Sequence, residues 1–109
     1  MKSYRKKPVE IEAVQWDGTA PAASSIVDWM LAGGGTARFV DYDPDSEANP
    51  YLDVETLEGT MRASVGDWVI RGVKGEFYPC KPDIFAATYD AVRRDETRAR
   101  TLAASQGAA

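Results

Sequence analysis

The sequence predicts an α+β fold, in which one helix packs on a small curled antiparallel sheet of four to five strands and a second helix follows at the C-terminal end. Two observations support this prediction. Short runs that alternate apolar and polar residues recur between Gly and Pro breaks. The length of 109 residues suits a single hydrophobic core. We therefore expect one domain over residues 1–92 and a charged, alanine-rich extension over residues 93–109, either helical or frayed.

The first strand and the first helix are predicted in the N-terminal third of the chain. Residues 9–16 alternate apolar and polar side chains with one slip, which is typical of a strand with a bulge. A short amphipathic helix is predicted to begin at Ser25, because Ser25 and Asp28 have capping-box spacing and apolar residues then recur at helical spacing. The glycines at residues 33–35 end this helix. Residues 37–42 are rich in strand formers and predict the next strand.

Two hairpins are predicted in the centre of the chain. Residues 51–57 and 60–63 flank a turn that contains glycine, and residues 67–71 and 76–79 flank a second turn of the same kind. Because Pro79 has no N–H to donate to a neighbouring strand, we expect its strand either to lie at the edge of the sheet or to end at Pro79.

A second helix is predicted to begin around residues 81–85. Pro82 is tolerated in a first helical turn, and Asp83 is favourable beside the positive end of the helix dipole. The apolar stripe expected to face the core consists of Ile84, Phe85, Thr88, Tyr89 and Val92.

Charge is distributed unevenly along the chain, which has a net charge of −4. Both ends are basic, whereas residues 41–58 contain seven acids and no Lys or Arg. A basic face beside an acidic one suits a protein partner or head-to-tail self-association into a homo-oligomer, and the acidic segment disfavours nucleic acid. The candidate partner-binding residues are the basic side chains Lys2, Arg5, Lys6, Lys7, Arg93, Arg94 and Arg98.

Common catalytic and metal-binding patterns are missing from the sequence. The chain has no histidine, which excludes Ser-His and Cys-His pairs, and its single cysteine excludes an internal disulfide. We interpret Cys80 as a packed, unreactive side chain. The acidic loop resembles the first half of a calcium loop, but Ser46 replaces the required glycine and Leu52 replaces the closing Glu. We therefore predict no catalytic residues, no metal and no cofactor.

Aromatic side chains are the other candidate functional groups. Burying one contributes roughly 4–6 kcal/mol, against about 5–15 kcal/mol for a whole domain, so most of them are expected in the core. Trp16 and Trp68 are set apart as candidate pocket walls because each is predicted at a strand end beside an aspartate. The candidate ligand-binding residues, which could hold a nucleotide, are Trp16, Trp68, Arg71, Lys74 and Tyr78.

Two segments carry a resemblance to a known family. Residues 66–85, with the following Thr88 and Tyr89, and residues 4–16 both resemble short uncharacterised proteins that tailed bacteriophages and prophages encode. The resemblance covers both ends of roughly the first nine tenths of the chain and leaves the acidic middle unmatched. The segment beyond Arg93 exceeds the usual end of such proteins. The resemblance implies a setting, the cytoplasm of an infected bacterium, but no residue roles.

Three functions follow from these observations. The first is a phage-encoded accessory protein that binds a host or phage macromolecule without catalysis. The second is capture of a small ligand of nucleotide type. The third is a histidine-free enzyme that uses paired carboxylates or Lys81 with Ser64. No membrane association or export is expected, because no apolar run approaches the ~20 residues of a membrane span and the basic N-terminal segment lacks the apolar part of a signal peptide.

Overall fold

The computed structural model describes residues 1–5 and 7–92. Within these residues the fold is α+β, with two helices and two three-stranded antiparallel sheets. The predicted α+β class is therefore confirmed. The predicted single sheet of four to five strands is wrong, because six strands divide equally between two sheets. The extension over residues 93–109, predicted as helical or frayed, lies outside the described residues.

The order of elements is strand, helix, five strands, helix. The elements are β1 (Glu12–Gln15), α1 (Ala20–Ala32), β2 (Ala37–Val40), β3 (Tyr51–Thr56), β4 (Gly59–Ser64), β5 (Trp68–Arg71), β6 (Phe77–Cys80) and α2 (Pro82–Thr88). Sheet I has the order β1-β5-β6, and sheet II has the order β2-β3-β4. The two predicted hairpins are β3–β4 and β5–β6, and the Pro79 strand, β6, is an edge strand as predicted. Strand β1 pairs with β5, although the three strands of sheet II lie between them along the chain.

The junction between β1 and β5 contains the bulge of this fold. The Trp16 N–H donates to the Asp67 carbonyl at 3.0 Å, while the Gly66 N–H donates to the Trp16 carbonyl at 2.9 Å. Two residues of one strand thus oppose one of the other, as in a bulge that begins with glycine. Gly66 has φ of 92°, which also suits its place in the tight turn closed by the Asp67 N–H and the Ser64 carbonyl.

Helix α1 begins earlier than the sequence pattern predicts. Its N-cap is Thr19, whose hydroxyl accepts a hydrogen bond from the Ala22 N–H at 3.2 Å, and a proline occupies the first turn. Ser25, the predicted start, lies inside the helix and donates its hydroxyl to the Pro21 carbonyl. Asp17 supports the cap by accepting from the Thr19 N–H and hydroxyl, and these bonds lower the pKa of Asp17.

The core lies between α1, one face of sheet I and one face of sheet II. Its buried side chains are Trp16, Ala23, Ile26, Met30, Leu52, Val54, Ala63, Val69 and Phe77. The C-terminal end of α1 approaches the Phe77 ring so closely that a Cβ at Gly33 would lie 2.9 Å from it. Glycine at this position is therefore required by packing rather than by backbone conformation.

Helix α2 lies on the other side of sheet I from the core. Residues that pair directly across antiparallel strands share a face, and successive residues alternate faces. Val69 is in the core cluster, so its neighbour Trp68 points to the outer face, where its ring stacks on Phe85 of α2. The predicted core-facing stripe of α2 is wrong, because α2 has no buried residue and Ile84 is exposed. Because the inner face of sheet I already packs against the core, α2 can cover only the outer face.

Candidate functional site

A groove lies on the outer face of sheet I. It has a volume of about 670 Å³ and lies between the segment that leads into β1, Trp68 of β5, and the C-terminal end of α2. Val9, Ile11 and Ala13 form one side, while Phe85 and residues 89–92 form the other. We call it the aromatic groove. Its two walls come from opposite ends of the described chain.

Three neighbouring aromatic rings, two of them stacked, line the aromatic groove. Trp68 and Phe85 are nearly parallel, with ring centroids 3.9 Å apart and an interplanar angle of 5°. The Tyr89 ring lies 5.1 Å from that of Phe85 at 37°. All three side chains are half-buried, so each packs into the structure and also contributes ring surface to the groove. Such partly exposed rings are typical of binding surfaces.

A tyrosine pair supports this wall from the strand side. The Tyr78 hydroxyl on β6 lies 3.5 Å from the Tyr89 hydroxyl. Burial, together with the bond to Tyr89, raises the pKa of the Tyr78 phenol well above its usual value. Tyr78 therefore stays neutral at physiological pH and acts as a packed, hydrogen-bonding support for the ring of Tyr89.

The described part of the groove lining carries only negative formal charge. Glu10 and Asp90 stand at opposite walls and are exposed, and no Lys or Arg occurs among the described lining residues. Carboxylates beside aromatic faces attract cations, because the faces of the rings carry negative charge density. The described lining therefore combines an apolar surface with two exposed acids.

An ion pair between the buried Asp67 and the exposed Lys81 fixes α2 against sheet I. The Asp67 carboxylate, 4% exposed, accepts from the Lys81 ammonium at 2.8 Å and from the Ser64 N–H at 2.9 Å. Lys81 is the N-cap of α2, so the pair holds the start of the helix to the turn before β5. Lys81 and Ser64 are thus connected through Asp67, which contacts the backbone N–H of Ser64 and not its hydroxyl. This is not the arrangement of a nucleophile and its base.

Cys80 lies on β6 and is partly buried. Burial raises the pKa of its thiol, and the carboxylates of Asp67 and Asp83 raise it further. A raised pKa lowers the thiolate fraction at neutral pH, and the thiolate is the reactive form. The chemistry of the site therefore offers no activated cysteine.

The acidic loop folds onto sheet II through its own polar contacts. The Tyr51 hydroxyl donates to Asp43 at 2.6 Å, and Asn49 accepts from the Asp43 N–H at 2.9 Å. The bond to Tyr51 is the main cause of a lowered pKa at Asp43. Across residues 1–5 and 7–92, no group of three or more acidic or cysteine side chains is arranged to hold a metal ion.

Comparisons of the chain with protein-family models, with curated proteins and with solved structures found no match. The resemblance of residues 4–16 and 66–85 to tailed-phage proteins therefore stays a prediction. Neither of the two helices in the described part of the chain is long and apolar enough to cross a membrane.

The structure separates the five candidate ligand-binding residues. Trp16 is fully buried in the core, where its indole N–H donates to the Thr19 carbonyl at 2.9 Å, so it walls no surface pocket. This corrects its interpretation as a pocket wall. Trp68 lines the aromatic groove and Tyr78 supports it.

Two of those candidates lie away from the groove. Arg71 forms an ion pair with Glu12 at 3.6 Å and lies over the Phe77 ring, on the core side of sheet I. Lys74 belongs to the turn between β5 and β6 and does not line the aromatic groove. The described lining of the aromatic groove thus joins Trp68 to neither of these cations, whereas a nucleotide site would require it to do so.

The candidate partner-binding residues are described only in part. Lys2, Arg5 and Lys7 are exposed in the segment before β1. The other four, Lys6, Arg93, Arg94 and Arg98, lie outside the described residues.

Four residues of the groove were not recognised as functional from the sequence. Phe85 and Tyr89 were assigned to a core-facing stripe, although their spacing of four residues places both on one side of α2. Glu10 and Asp90 carry no signal in the sequence, because isolated surface acids are common. The pairing of β1 with β5, together with the packing of Phe85 on Trp68, brings them to the same groove.

Proposed function

We propose that this protein is a non-catalytic binding protein, encoded by a phage or prophage, whose partner is a host or phage protein in the bacterial cytoplasm. The single observation that supports this proposal most strongly is the aromatic groove. Aromatic side chains that are partly exposed and held rigidly are enriched where protein interfaces have their largest binding energy. The rings of Trp68 and Phe85 fit that description, since they are stacked and half-buried.

The chemistry around the groove favours binding over catalysis. Tyr78 and Cys80 both have raised pKa values, so neither is activated as a base or nucleophile. Glu10 and Asp90 are both exposed, whereas catalytic carboxylates are commonly tuned by burial.

Capture of a small ligand is the second candidate function. The volume of about 670 Å³ falls within the roughly 300–1,000 Å³ of small-molecule pockets. A nucleotide is disfavoured as the ligand, because the described lining offers no positive charge to its phosphates.

A matched pair of substitutions tests the proposal. Val9 and Val73 are both exposed valines outside the regular elements, but only Val9 lines the groove. The tagged full chain, Val9→Asp and Val73→Asp would be expressed in the source bacterium, with and without phage induction. Bound proteins would then be quantified by mass spectrometry. A specific partner should be recovered with the unaltered chain and with Val73→Asp, and reduced at least fivefold with Val9→Asp.

Two outcomes would count against protein binding at the groove. One is equal recovery of every bound protein by Val9→Asp and Val73→Asp, which would place the interface elsewhere. The other is recovery of bare chain with a small molecule detected by native mass spectrometry, which would favour the second candidate function.

A further inference from the structure

We propose that the aromatic groove binds an arginine side chain presented by the partner protein, an inference that rests on the proposed protein-binding function and names the chemistry of the partner. The groove offers the stacked rings of Trp68 and Phe85 together with the carboxylates of Glu10 and Asp90. No cation is present among its described lining residues. The described lining therefore presents two features that attract a cation, aromatic ring surface and the negative charge of two acids.

The same protein shows how such a combination is satisfied on sheet II. There, the Arg62 guanidinium lies 3.5 Å from the centroid of the Tyr51 ring. Its Nε also donates to Asp53 Oδ1 at 3.0 Å. One arginine thus contacts a ring and a carboxylate at once, and the bond to Asp53 raises the pKa of Arg62 further.

Sheet I contains a second example. The Arg71 guanidinium lies 5.9 Å from the centroid of the Phe77 ring, and its Nη1 lies 3.6 Å from Glu12 Oε1. In both examples, an arginine of this chain occupies the space between an aromatic ring and an acid. The aromatic groove repeats the ring-and-acid combination with no arginine from the described residues.

Arginine fits this site better than lysine or an apolar side chain. A planar guanidinium can lie against a ring and donate to a carboxylate in the same pose, whereas an ammonium is a compact and strongly hydrated charge. An apolar side chain would form no ion pair with Glu10 or Asp90, and an anionic group would be repelled by both. We therefore expect the partner to present an exposed arginine on a loop or a chain end.

The direct test is an NMR titration of the isotope-labelled full chain with Nα-acetyl-arginine methylamide. The control probe is the citrulline analogue, which has nearly the same shape and no charge. The arginine probe should shift the indole N–H of Trp68 and the amides of residues 9–13 and 85–92. It should bind about threefold to tenfold more tightly than the citrulline probe, as expected for a cation beside an exposed ring and acids.

Variants in which acids are replaced by amides show which carboxylates bind the arginine probe. The double variant Glu10→Gln with Asp90→Asn should reduce binding of the arginine probe to the level of the citrulline probe. The matched control, Asp41→Asn with Glu58→Gln, removes two exposed acids of the acidic segment and should leave binding unchanged. Equal binding of the two probes, or shifts confined to residues 41–58, would overturn the inference.

Two further outcomes separate this inference from others. Arg93 and Arg94 follow the groove residue Val92 in sequence and lie outside the described residues. Their double alanine variant should bind the arginine probe unchanged, and a tenfold gain would overturn the inference by showing that the chain supplies its own cation. Partner loss on Val9→Asp with equal binding of both probes would overturn the arginine inference alone and leave the proposed function standing.

Discussion

Replacing Trp16 with Phe should destabilise the protein strongly, although both residues are aromatic. Trp16 is 0% exposed, contacts the Phe39 ring edge-on and donates its indole N–H to the Thr19 carbonyl. Phe and Trp lie towards opposite ends of the roughly 150–250 Å² that aromatic side chains bury. The exchange therefore removes some tens of Å², or about 1–2 kcal/mol at about 25 cal/mol per Å². The lost hydrogen bond adds about 0.5–1.5 kcal/mol.

The expected loss in free energy of unfolding is thus about 1.5–3.5 kcal/mol, a large part of the about 5–15 kcal/mol that stabilises a domain. Urea unfolding followed by far-ultraviolet circular dichroism measures it. Trp68→Phe is the matched control, because the new ring can still stack on Phe85, and it should cost less than about 1 kcal/mol. A free energy of unfolding for Trp16→Phe within about 0.5 kcal/mol of that of the unaltered chain, or equal losses for the two variants, would contradict this role of Trp16 in the core.

Three further predictions concern single contacts. Gly35→Ala should cost about 1–3 kcal/mol in urea unfolding, because its Cβ would clash with the Phe77 ring; unchanged stability would contradict this packing. Tyr51→Phe should raise the pKa of Asp43 in a carboxyl NMR titration. Since folding lowers that pKa, Asp43 stabilises the fold at neutral pH, and this contribution is lost as pH falls. The difference in free energy of unfolding between Tyr51→Phe and the unaltered chain should therefore become smaller in acid. Cys80 should react with a thiol reagent with a midpoint pH above that of free cysteine, and a lower midpoint would disprove its raised pKa.

The hairpins are the part of the fold that local sequence predicts best. The β3–β4 and β5–β6 turns contain Gly59 and Gly75, which have φ of 109° and 81° in the structure. Few other residues adopt this conformation, so the glycines mark the turns without reference to the rest of the chain. The edge position of Pro79 was predicted for an equally local reason, its missing N–H.

The start of α1 shows where local patterns mislead. Ser25 and Asp28 have the spacing of a cap, yet Thr19 caps the helix because Asp17 holds the Thr19 backbone and hydroxyl in place. The intervening Ala and Pro residues lack strong hydrophobic periodicity. The proline in this segment is suited to the first turn of a helix, which is where the structure places it.

The amino-acid sequence by itself determined the α+β class, the hairpins and the lack of histidine chemistry, since each depends on residue types or on neighbours close in the chain. Only the tertiary structure decided that the strands form two sheets and that Trp16 is buried in the core whereas Trp68 lines the groove. It also decided that Glu10 and Asp90 line the same groove. The physical reason is that alternation fixes which residues share a face of a strand but not which strand lies beside it. The pairing of β1 with β5 is such a case, because the paired residues are more than fifty positions apart and no local pattern connects them.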